Sequence, residues 1–154
     1  MLSNKMPRPK RIQFKNAVYH ITIKANNNEK FFIDDFDRMH HLLTWNKYKK
    51  KYNFLCYGYC LMNTHVHFLI ETLLPNLSKF MHSIQTSYVM YFNKRHKRTG
   101  TLIWNRYKSF IIDKDRYLLA ALRYIHLNPV RAKIVNFPEE YLWSSHRIYL
   151  NQVK

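Results

Sequence analysis

Residues 61–70, with the sequence LMNTHVHFLI, constrain the fold of this chain more than any other stretch. They are rich in β-branched, aromatic and aliphatic residues, a composition that predicts a buried strand. Because the side chains of a strand point alternately to its two faces, His65 and His67 share one face and their apolar neighbours take the other. Two imidazoles held side by side on a stiff strand predict one half of a metal site. The alternative interpretation is a pair of polar residues on the open face of a sheet.

The predicted strands and helices around this stretch follow the order β-α-β-β-α-β-α. A strand at 54–62 precedes the histidine strand at 64–71, and the link between them is too short for a crossover, so the two form an antiparallel hairpin. The other predicted elements are strands at 17–24 and 102–112 and helices that begin at Asp34 or Asp35, at Pro75 and Asn76, and at Asp113 or Lys114. The first helix is expected to pack through Phe36, Met39, Leu43 and the nearby Leu42. This order predicts an α+β fold: a ferredoxin-like (RRM-like) antiparallel sheet with helices packed on one side and a tyrosine-bearing C-terminal helix.

The charge of the chain predicts a polyanionic partner. Its 154 residues carry 26 Lys and Arg against 9 Asp and Glu, a formal net charge of +17. Such an imbalance repels itself unless a polyanion binds it, and nucleic acid is the usual one. Aromatic residues make up 16% of the chain, and exposed aromatic rings stack on unpaired bases. These totals predict binding to single-stranded nucleic acid, although core packing explains most single rings.

Basic residues that are predicted to contact DNA fall in four parts of the chain. Residues 1–16 form a basic arm, which is predicted to be flexible because Pro7 and Pro9 block a helix. A basic loop follows the second helix, basic residues alternate with aromatic ones on the last predicted strand, and Arg131 follows the last predicted helix. The candidates are Arg8, Lys10, Arg11, Lys94, Arg95, Lys97, Arg98, Arg106, Lys108 and Arg131. A disordered tail and an ordinary edge strand are the alternatives for the arm and the strand.

Cysteine usage and hydropathy predict a soluble, reduced, cytoplasmic protein. Cys56 and Cys60 lie on one predicted strand, roughly 13 Å apart, which is too far for a disulfide. No apolar run approaches the ~18 residues of a membrane span, and no signal-peptide pattern is present. Residues 17–154 are therefore expected to form a single domain that does not contact a membrane.

The last predicted helix supplies partners for the histidines. A stripe with the spacing of a buried helix face consists of Leu118, Ala121, Leu122 and Ile125. At about 100° per residue, Tyr124 and Asn128 lie together on one shoulder of that stripe, and Tyr117 shares it. Two imidazoles and the side-chain oxygen of Asn128 leave positions open for water and phosphate oxygens. A site formed by His65, His67 and Asn128 therefore suits Mg²⁺ or Mn²⁺ better than structural zinc.

Two of these segments resemble motifs of one protein family. His65-Val66-His67, flanked by apolar residues, resembles the HUH motif (His, hydrophobic, His) of single-strand endonucleases. Residues 123–132, with the sequence RYIHLNPVRA, resemble the tyrosine helix of the single-tyrosine HUH transposases, above all the REP-associated tyrosine transposases. Further family-like segments extend the resemblance over nearly the whole chain, at 17–20, 92–93, 107–109 and 143–145. Thr64 departs from the family, which often has Asn before the first histidine.

The resemblance implies a metal-dependent nuclease, a transposase, that cuts and rejoins single-stranded DNA near hairpins. It implies that His65, His67 and Asn128 hold a divalent ion and that Tyr124 attacks phosphorus. The attack forms a 5′-phosphotyrosine link and leaves a free 3′-hydroxyl, so the strand can be rejoined elsewhere. The resemblance allows both a monomer and a homodimer. His20, on a strand that is expected to neighbour the histidine strand, is a further candidate for contact with a metal ligand.

Two other functions fit parts of the same sequence. A non-catalytic module for single-stranded nucleic acid has the same fold, charge and aromatic content, but it leaves the histidine pair and Asn128 unexplained. A replication initiator or relaxase uses the same metal and tyrosine chemistry, but such proteins usually carry extra domains, for which 154 residues leave no room. A transposase-type nuclease is therefore the preferred hypothesis.

Overall fold

The computed structural model of the chain describes residues 7–152. These residues form the strands β1 (Ala17–Lys24), β2 (Phe54–Leu61), β3 (His65–Thr72) and β4 (Lys108–Ile112). The helices are α1 (Asp35–Tyr52), α2 (Leu77–Arg95), α3 (Lys114–His126), α4 (Asn128–Arg131) and α5 (His146–Asn151). Short 3-10 helices lie in the connections at Asn26–Asn28 and Pro138–Glu140. Among the described residues, no helix combines the length and the apolar composition that crossing a membrane requires.

The strands form one antiparallel sheet in the order β2-β3-β1-β4. This is the strand order of a ferredoxin-like fold, with α1 and α2 as its connections, so the predicted fold class is confirmed. The hairpin of β2 and β3 is also as predicted. β1 and β3 form the central pair, and their register puts Thr22 opposite His67 and Lys24 opposite His65. The histidine strand therefore has neighbours on both sides.

One face of the sheet packs against α1 and α2 and contributes much of the core. It carries the strand residues that alternate with the histidines, which are Tyr19, Ile21, Ile23, Val66, Phe68 and Ile70. Trp45 of α1 stacks on Phe68 with ring centroids 3.6 Å apart. Tyr88 of α2 is completely buried in the same cluster. Burial of this apolar surface supplies the main favourable term in folding.

The buried side of α1 differs from the predicted one. Phe36, Met39 and Leu43 are 74%, 51% and 58% exposed, respectively, so their predicted packing is wrong. Leu42 is partly buried and packs against the core, as predicted. Asp37 is completely buried instead, and its Oδ1 accepts a hydrogen bond from Arg95 of α2 at 2.6 Å. A buried carboxylate is costly without a partner of this kind, so the pair with Arg95 allows Asp37 to lie on the inward side of α1.

α3 covers the opposite face of the sheet, the face that carries the histidines. Its inward side is the predicted stripe of Leu118, Ala121, Leu122 and Ile125. The stripe packs on an apolar cluster that includes Cys60 and Leu69. At the start of the helix the side chain of Asp113 caps the first turn, and Lys114 Nζ donates to the buried carboxylate of Glu71 at 2.7 Å.

The C-terminal segment extends the edge of β2 and returns to the sheet. The N–H of Leu61 donates to the carbonyl of Trp143 at 2.8 Å, and the N–H of Ser145 donates to the carbonyl of Tyr59 at 3.0 Å. Ser145 Oγ accepts a hydrogen bond from the N–H of Tyr59 at 2.9 Å. The same oxygen lies 2.8 Å from Nε2 of the buried His126. These contacts tie the end of α3 to the edge of the sheet.

The last strand is shorter than predicted. It was expected at 102–112, but it begins only at Lys108. Asn105 has a left-handed backbone conformation with φ 56°, which interrupts an extended strand. Upstream of this residue, only an isolated bridge joins Ile103 to Ala25 at the end of β1.

The described part of the predicted basic arm, residues 7–16, has no regular secondary structure but contacts the domain. Arg11 lies 3.7 Å from the ring centroid of Tyr107. Gln13 Oε1 accepts a hydrogen bond from the first turn of α2 at 2.8 Å. Residues 1–6 of the arm lie outside the described residues, and the flexibility of the arm stays a prediction.

Substitution of Gly58, which lies in β2 directly beneath α3, tests the packing of this helix. A Cβ atom at this position would lie 2.3 Å from Cδ1 of Leu122 and 3.0 Å from Oγ of Ser145. We expect Gly58→Ala to lower the free energy of unfolding, measured in urea, by ~1–3 kcal/mol, as overpacking does. Because Leu122→Ala makes room, the double variant should lose less than the sum of the two single variants. A double variant that loses the full sum of the two single losses in stability would contradict the contact between position 58 and Leu122.

Candidate active site

Three histidines from two neighbouring strands meet on the α3 face of the sheet. His65 and His67 lie on β3, and His20 lies on β1, where the alternation of side chains puts it on the same face. The ring centroids of His65 and His67 are 5.0 Å apart. Those of His20 and His67 are 5.1 Å apart. The two residues predicted as metal ligands therefore stand side by side, and His20 lies next to His67 on the neighbouring strand.

The Nδ1 atom of each β3 histidine has a partner that orients the ring. Nδ1 of His67 lies 2.9 Å from Nε2 of His20 and 3.3 Å from Oγ1 of Thr22. Nδ1 of His65 lies 3.1 Å from Oγ1 of Thr64, the residue that departs from the family pattern. Within residues 7–152, neither Nε2 atom of this pair has a hydrogen-bond partner. A held Nδ1 and an open Nε2 are the arrangement typical of histidine ligands.

Burial favours the neutral form of these imidazoles. Burial, and then the nearby His65 and His20, lower the pKa of His67 to about 3. Burial also lowers the pKa of His65, with a further contribution from the charge of Lys24. The pKa of His20 is lowered by burial alone. A neutral imidazole has a lone pair for a metal ion, whereas a protonated one has none.

Tyr124 of α3 lies over the histidines. Its ring centroid is 6.3 Å from that of His67 and 5.7 Å from that of His20, and the residue is 46% exposed. The guanidinium of Arg131 lies 4.3 Å from the centroid of the same ring. A cation in this position stabilises negative charge that develops on the phenolic oxygen.

The hydroxyl of Tyr124 differs from most tyrosine hydroxyls of the chain. Nine of the 12 form a hydrogen bond, and these belong to Tyr19, Tyr48, Tyr52, Tyr57, Tyr88, Tyr91, Tyr107, Tyr141 and Tyr149. Those of Tyr59, Tyr117 and Tyr124 have no partner within residues 7–152. Of the two tyrosines on the shoulder of α3, Tyr124 is the one beside His20 and His67. Its hydroxyl is therefore available for chemistry.

The side chain of Asn128 is oriented by the end of α3. Its Nδ2 donates to the carbonyl oxygens of Tyr124 at 3.1 Å and of Ile125 at 3.2 Å. In the part of the chain that the structure describes, Oδ1 has no partner. The oxygen, which is the atom predicted to bind the metal, is thus the open end of the amide.

The predicted ligands of a divalent ion in this site are of two chemical kinds, imidazole nitrogen and amide oxygen. In residues 7–152, no group of three or more His, Cys, Asp or Glu side chains is arranged to hold a metal. The predicted ligands are Nε2 of His65, Nε2 of His67 and Oδ1 of Asn128, with water or phosphate oxygens in the other positions. These two open imidazole nitrogens and this open amide oxygen are suitable donors for such an ion, and the metal site itself stays a prediction.

The residues predicted to bind DNA divide into ion-paired and unpaired side chains. Arg95 forms ion pairs with Asp34 and Asp37. Arg98 forms one with Glu29. Within residues 7–152, the exposed candidates without an ion pair or a side-chain hydrogen bond are Lys10, Lys94, Lys97, Arg106 and Lys108. The others contact the loop before β4 or the ring of Tyr124, and they are Arg8, Arg11 and Arg131.

Two contacts of the site are not apparent from the sequence. Thr22 shares a face with His20 on β1, but the register that brings it to His67 exists only in the assembled sheet. Arg131, predicted as a DNA contact, reaches Tyr124 because α4 follows α3 after a single residue. The alternation of side chains along β1 is the sequence signal that does identify His20 as a candidate residue of this site.

Comparisons with known proteins find a matching family model and a solved structure of similar fold. A model of the family described as "Transposase IS200 like" matches residues 13–128, a range that includes both β3 histidines, Tyr124 and Asn128. No curated protein matches the sequence. The fold is similar to that of a solved structure described as "Structure of the REP associates tyrosine transposase bound to a REP hairpin", with a TM-score of 0.75. The two chains are 16% identical, and the match covers 92% of this chain and 84% of that chain. At this identity the likeness establishes the fold alone.

The neutrality of His67 is testable by NMR. Because its pKa is lowered to about 3, we expect the ring nitrogen signals, assigned with His67→Gln, to stay those of a neutral imidazole from about pH 7.5 to about pH 5.5. In the urea-unfolded chain the same ring should titrate near its ordinary value of about 6.5. A midpoint near that value in the folded protein would contradict the burial argument.

Proposed function

The chain belongs to the IS200-like transposase family, and on this premise we propose that it is a metal-dependent, single-tyrosine nuclease and strand transferase of the HUH type. Its proposed substrate is single-stranded DNA next to a hairpin. The observation that carries the proposal is the unpaired hydroxyl of Tyr124 beside a histidine pair with two open Nε2 atoms. The solved structure of similar fold is described as bound to a REP hairpin, which supports a hairpin partner.

His65, His67 and Asn128 are the proposed ligands of a Mg²⁺ or Mn²⁺ ion. When bound, the ion polarises the scissile phosphate and stabilises the charge that develops on it. His20 and Thr22 contribute by holding Nδ1 of His67, which directs Nε2 toward the ion.

Tyr124 performs the covalent step. Its phenolic oxygen forms a bond to phosphorus while the bond between phosphorus and the 3′-oxygen breaks, and the electron pair leaves with that oxygen. The phenolic proton passes to water, and a proton from water completes the 3′-hydroxyl. Because the product is a 5′-phosphotyrosine diester, a 3′-hydroxyl of another strand end can reverse the reaction and rejoin the DNA.

Arg131 assists the nucleophile. A phenol is largely protonated at neutral pH, so attack requires stabilisation of the phenolate as it forms. The guanidinium of Arg131, 4.3 Å from the ring centroid, supplies a positive charge at this place. Tyr124 lies beside His20 and His67 of its own chain, which supports an active site built within one chain and is compatible with a monomer and with a homodimer.

Replacement of Tyr124 by Phe separates chemistry from binding. The ring and its packing stay and only the attacking oxygen is lost. We therefore expect Tyr124→Phe to bind a hairpin oligonucleotide with a single-stranded flank like the wild type, measured by fluorescence anisotropy, and to form no covalent adduct on a denaturing gel. Tyr117→Phe, on the same shoulder of α3, is the matched control and should still form the adduct.

Two results would contradict this assignment in different ways. An adduct formed by Tyr124→Phe would show that another residue is the nucleophile. Wild-type protein that binds the hairpin but forms no adduct with Mg²⁺ or Mn²⁺ would indicate a non-catalytic DNA-binding module.

Removal of the ion tests the proposed ligands. Excess EDTA should abolish adduct formation, and Mg²⁺ or Mn²⁺ should restore it. His65→Ala and His67→Ala should lose the adduct and bound Mn²⁺, detected by electron paramagnetic resonance, but keep most of the DNA affinity because the phosphate contacts lie elsewhere. His82→Ala, at an exposed position of α2, is the control and should behave like the wild type. Undiminished adduct formation in EDTA would rule out the metal requirement.

A further inference from the structure

A cleft of about 260 Å³ lies at the end of β1. Its lining residues are Lys24, Ala25, Asn27, Asn28 and Trp104. In the pairing of β1 with β3, Lys24 stands directly opposite His65. A group bound in the cleft would therefore be adjacent to the proposed ion and to the phosphate that it contacts.

Trp104 presents an aromatic surface at this cleft. The residue is 55% exposed, and its ring stacks on no other aromatic ring within residues 7–152. The backbone around it is fixed, since its N–H donates to the carbonyl of Lys24 at 2.8 Å and the N–H of Asn26 donates to the carbonyl of Leu102 at 2.7 Å. A half-exposed indole on a fixed backbone presents a face on which an unpaired base can stack.

Asn27 and Asn28 supply polar groups at the same place. Both have left-handed backbone conformations, with φ 49° and 54°, which asparagine tolerates better than most residues. In the described part of the chain their side-chain amides form no hydrogen bonds. Each amide carries a donor and an acceptor side by side, the combination that pairs with the edge of a nucleobase.

We propose that this cleft binds one unpaired base of the substrate strand, in the nucleotide that flanks the scissile phosphate. The base stacks on Trp104, its edge pairs with the amide of Asn27 or Asn28, and Lys24 contacts the adjoining phosphate. The cleft is smaller than the ~300–1,000 Å³ of pockets for drug-sized ligands, which suits a single base. The proposal rests on the proposed function, because that function puts the scissile phosphate beside His65. These residues then determine which base is accepted at one position of the DNA.

An abasic scan tests the cleft. Hairpin oligonucleotides that each lack one base of the single-stranded flank are bound to the wild type, Trp104→Ala and Phe36→Ala, and their affinities are measured by fluorescence anisotropy. Phe36 is the matched control, an exposed aromatic residue of α1 beyond the other face of the sheet. For the wild type we expect one abasic position to weaken binding by about 5- to 150-fold, the effect of one stacked base. In Trp104→Ala the same abasic position should weaken binding only slightly, whereas in Phe36→Ala it should weaken binding as much as in the wild type.

Further variants separate base recognition from a general loss of structure. Trp104→Phe keeps an aromatic face and should restore most of the position-dependent effect. Asn27→Ala or Asn28→Ala should weaken the preference for one base at that position and leave the other flank positions unchanged. An equal abasic penalty in the wild type and in Trp104→Ala would overturn the proposal.

The adduct assay distinguishes failure of the cleft from failure of the proposed function. If the wild type forms the adduct, but no abasic position weakens binding more in the wild type than in Trp104→Ala, the proposal for the cleft is refuted and the proposed function stands. A wild type that forms no adduct refutes the nuclease, and the abasic scan, which measures binding only, then decides separately whether the cleft holds a base.

Discussion

The pairing of β1 with β3 is the interaction on which the rest of the structure depends. It joins the two central strands of the sheet and sets Thr22 opposite His67. The same alternation sends Ile21 into the core under α1 and α2 and turns His20 toward α3. Because side chains alternate with a period of two, a slip of one residue would expose the apolar side of β1 and separate His20 from His67. Burial of the core therefore enforces the register that the active site requires.

The docking of α3 sets the second part of the geometry, the position of Tyr124 over the imidazoles. Polar contacts hold the helix at both ends. At its start Lys114 pairs with Glu71, which is 5% exposed, and at its end His126 lies 2.8 Å from Ser145 Oγ. Reactive groups need support from neighbours whose own positions are fixed, and a helix fastened at both ends meets this requirement.

The parts of the site that follow from local periodicity could be predicted from the sequence. Alternation puts both β3 histidines on one face, and a spacing of four residues keeps Tyr124 of α3 close to Asn128, the first residue of α4, whose Nδ2 donates to the carbonyl of Tyr124. The inward side of α1 could not be predicted, because it carries Asp37, whose partner Arg95 is far away in the sequence. The start of β4 was missed because Asn105 adopts a left-handed conformation that composition does not reveal. The contact of Thr22 with His67 likewise requires the assembled sheet.

Peptide mapping of the covalent adduct tests most directly whether Tyr124 is the nucleophile. Trypsin cuts after Arg116, Arg123 and Arg131, so it separates the two tyrosines of the α3 shoulder into peptides 117–123 and 124–131. After nuclease digestion of the attached strand, we predict that mass spectrometry finds a nucleotide joined through its 5′-phosphate to Tyr124 in peptide 124–131. A nucleotide on peptide 117–123, or on any peptide other than 124–131, would contradict the assignment.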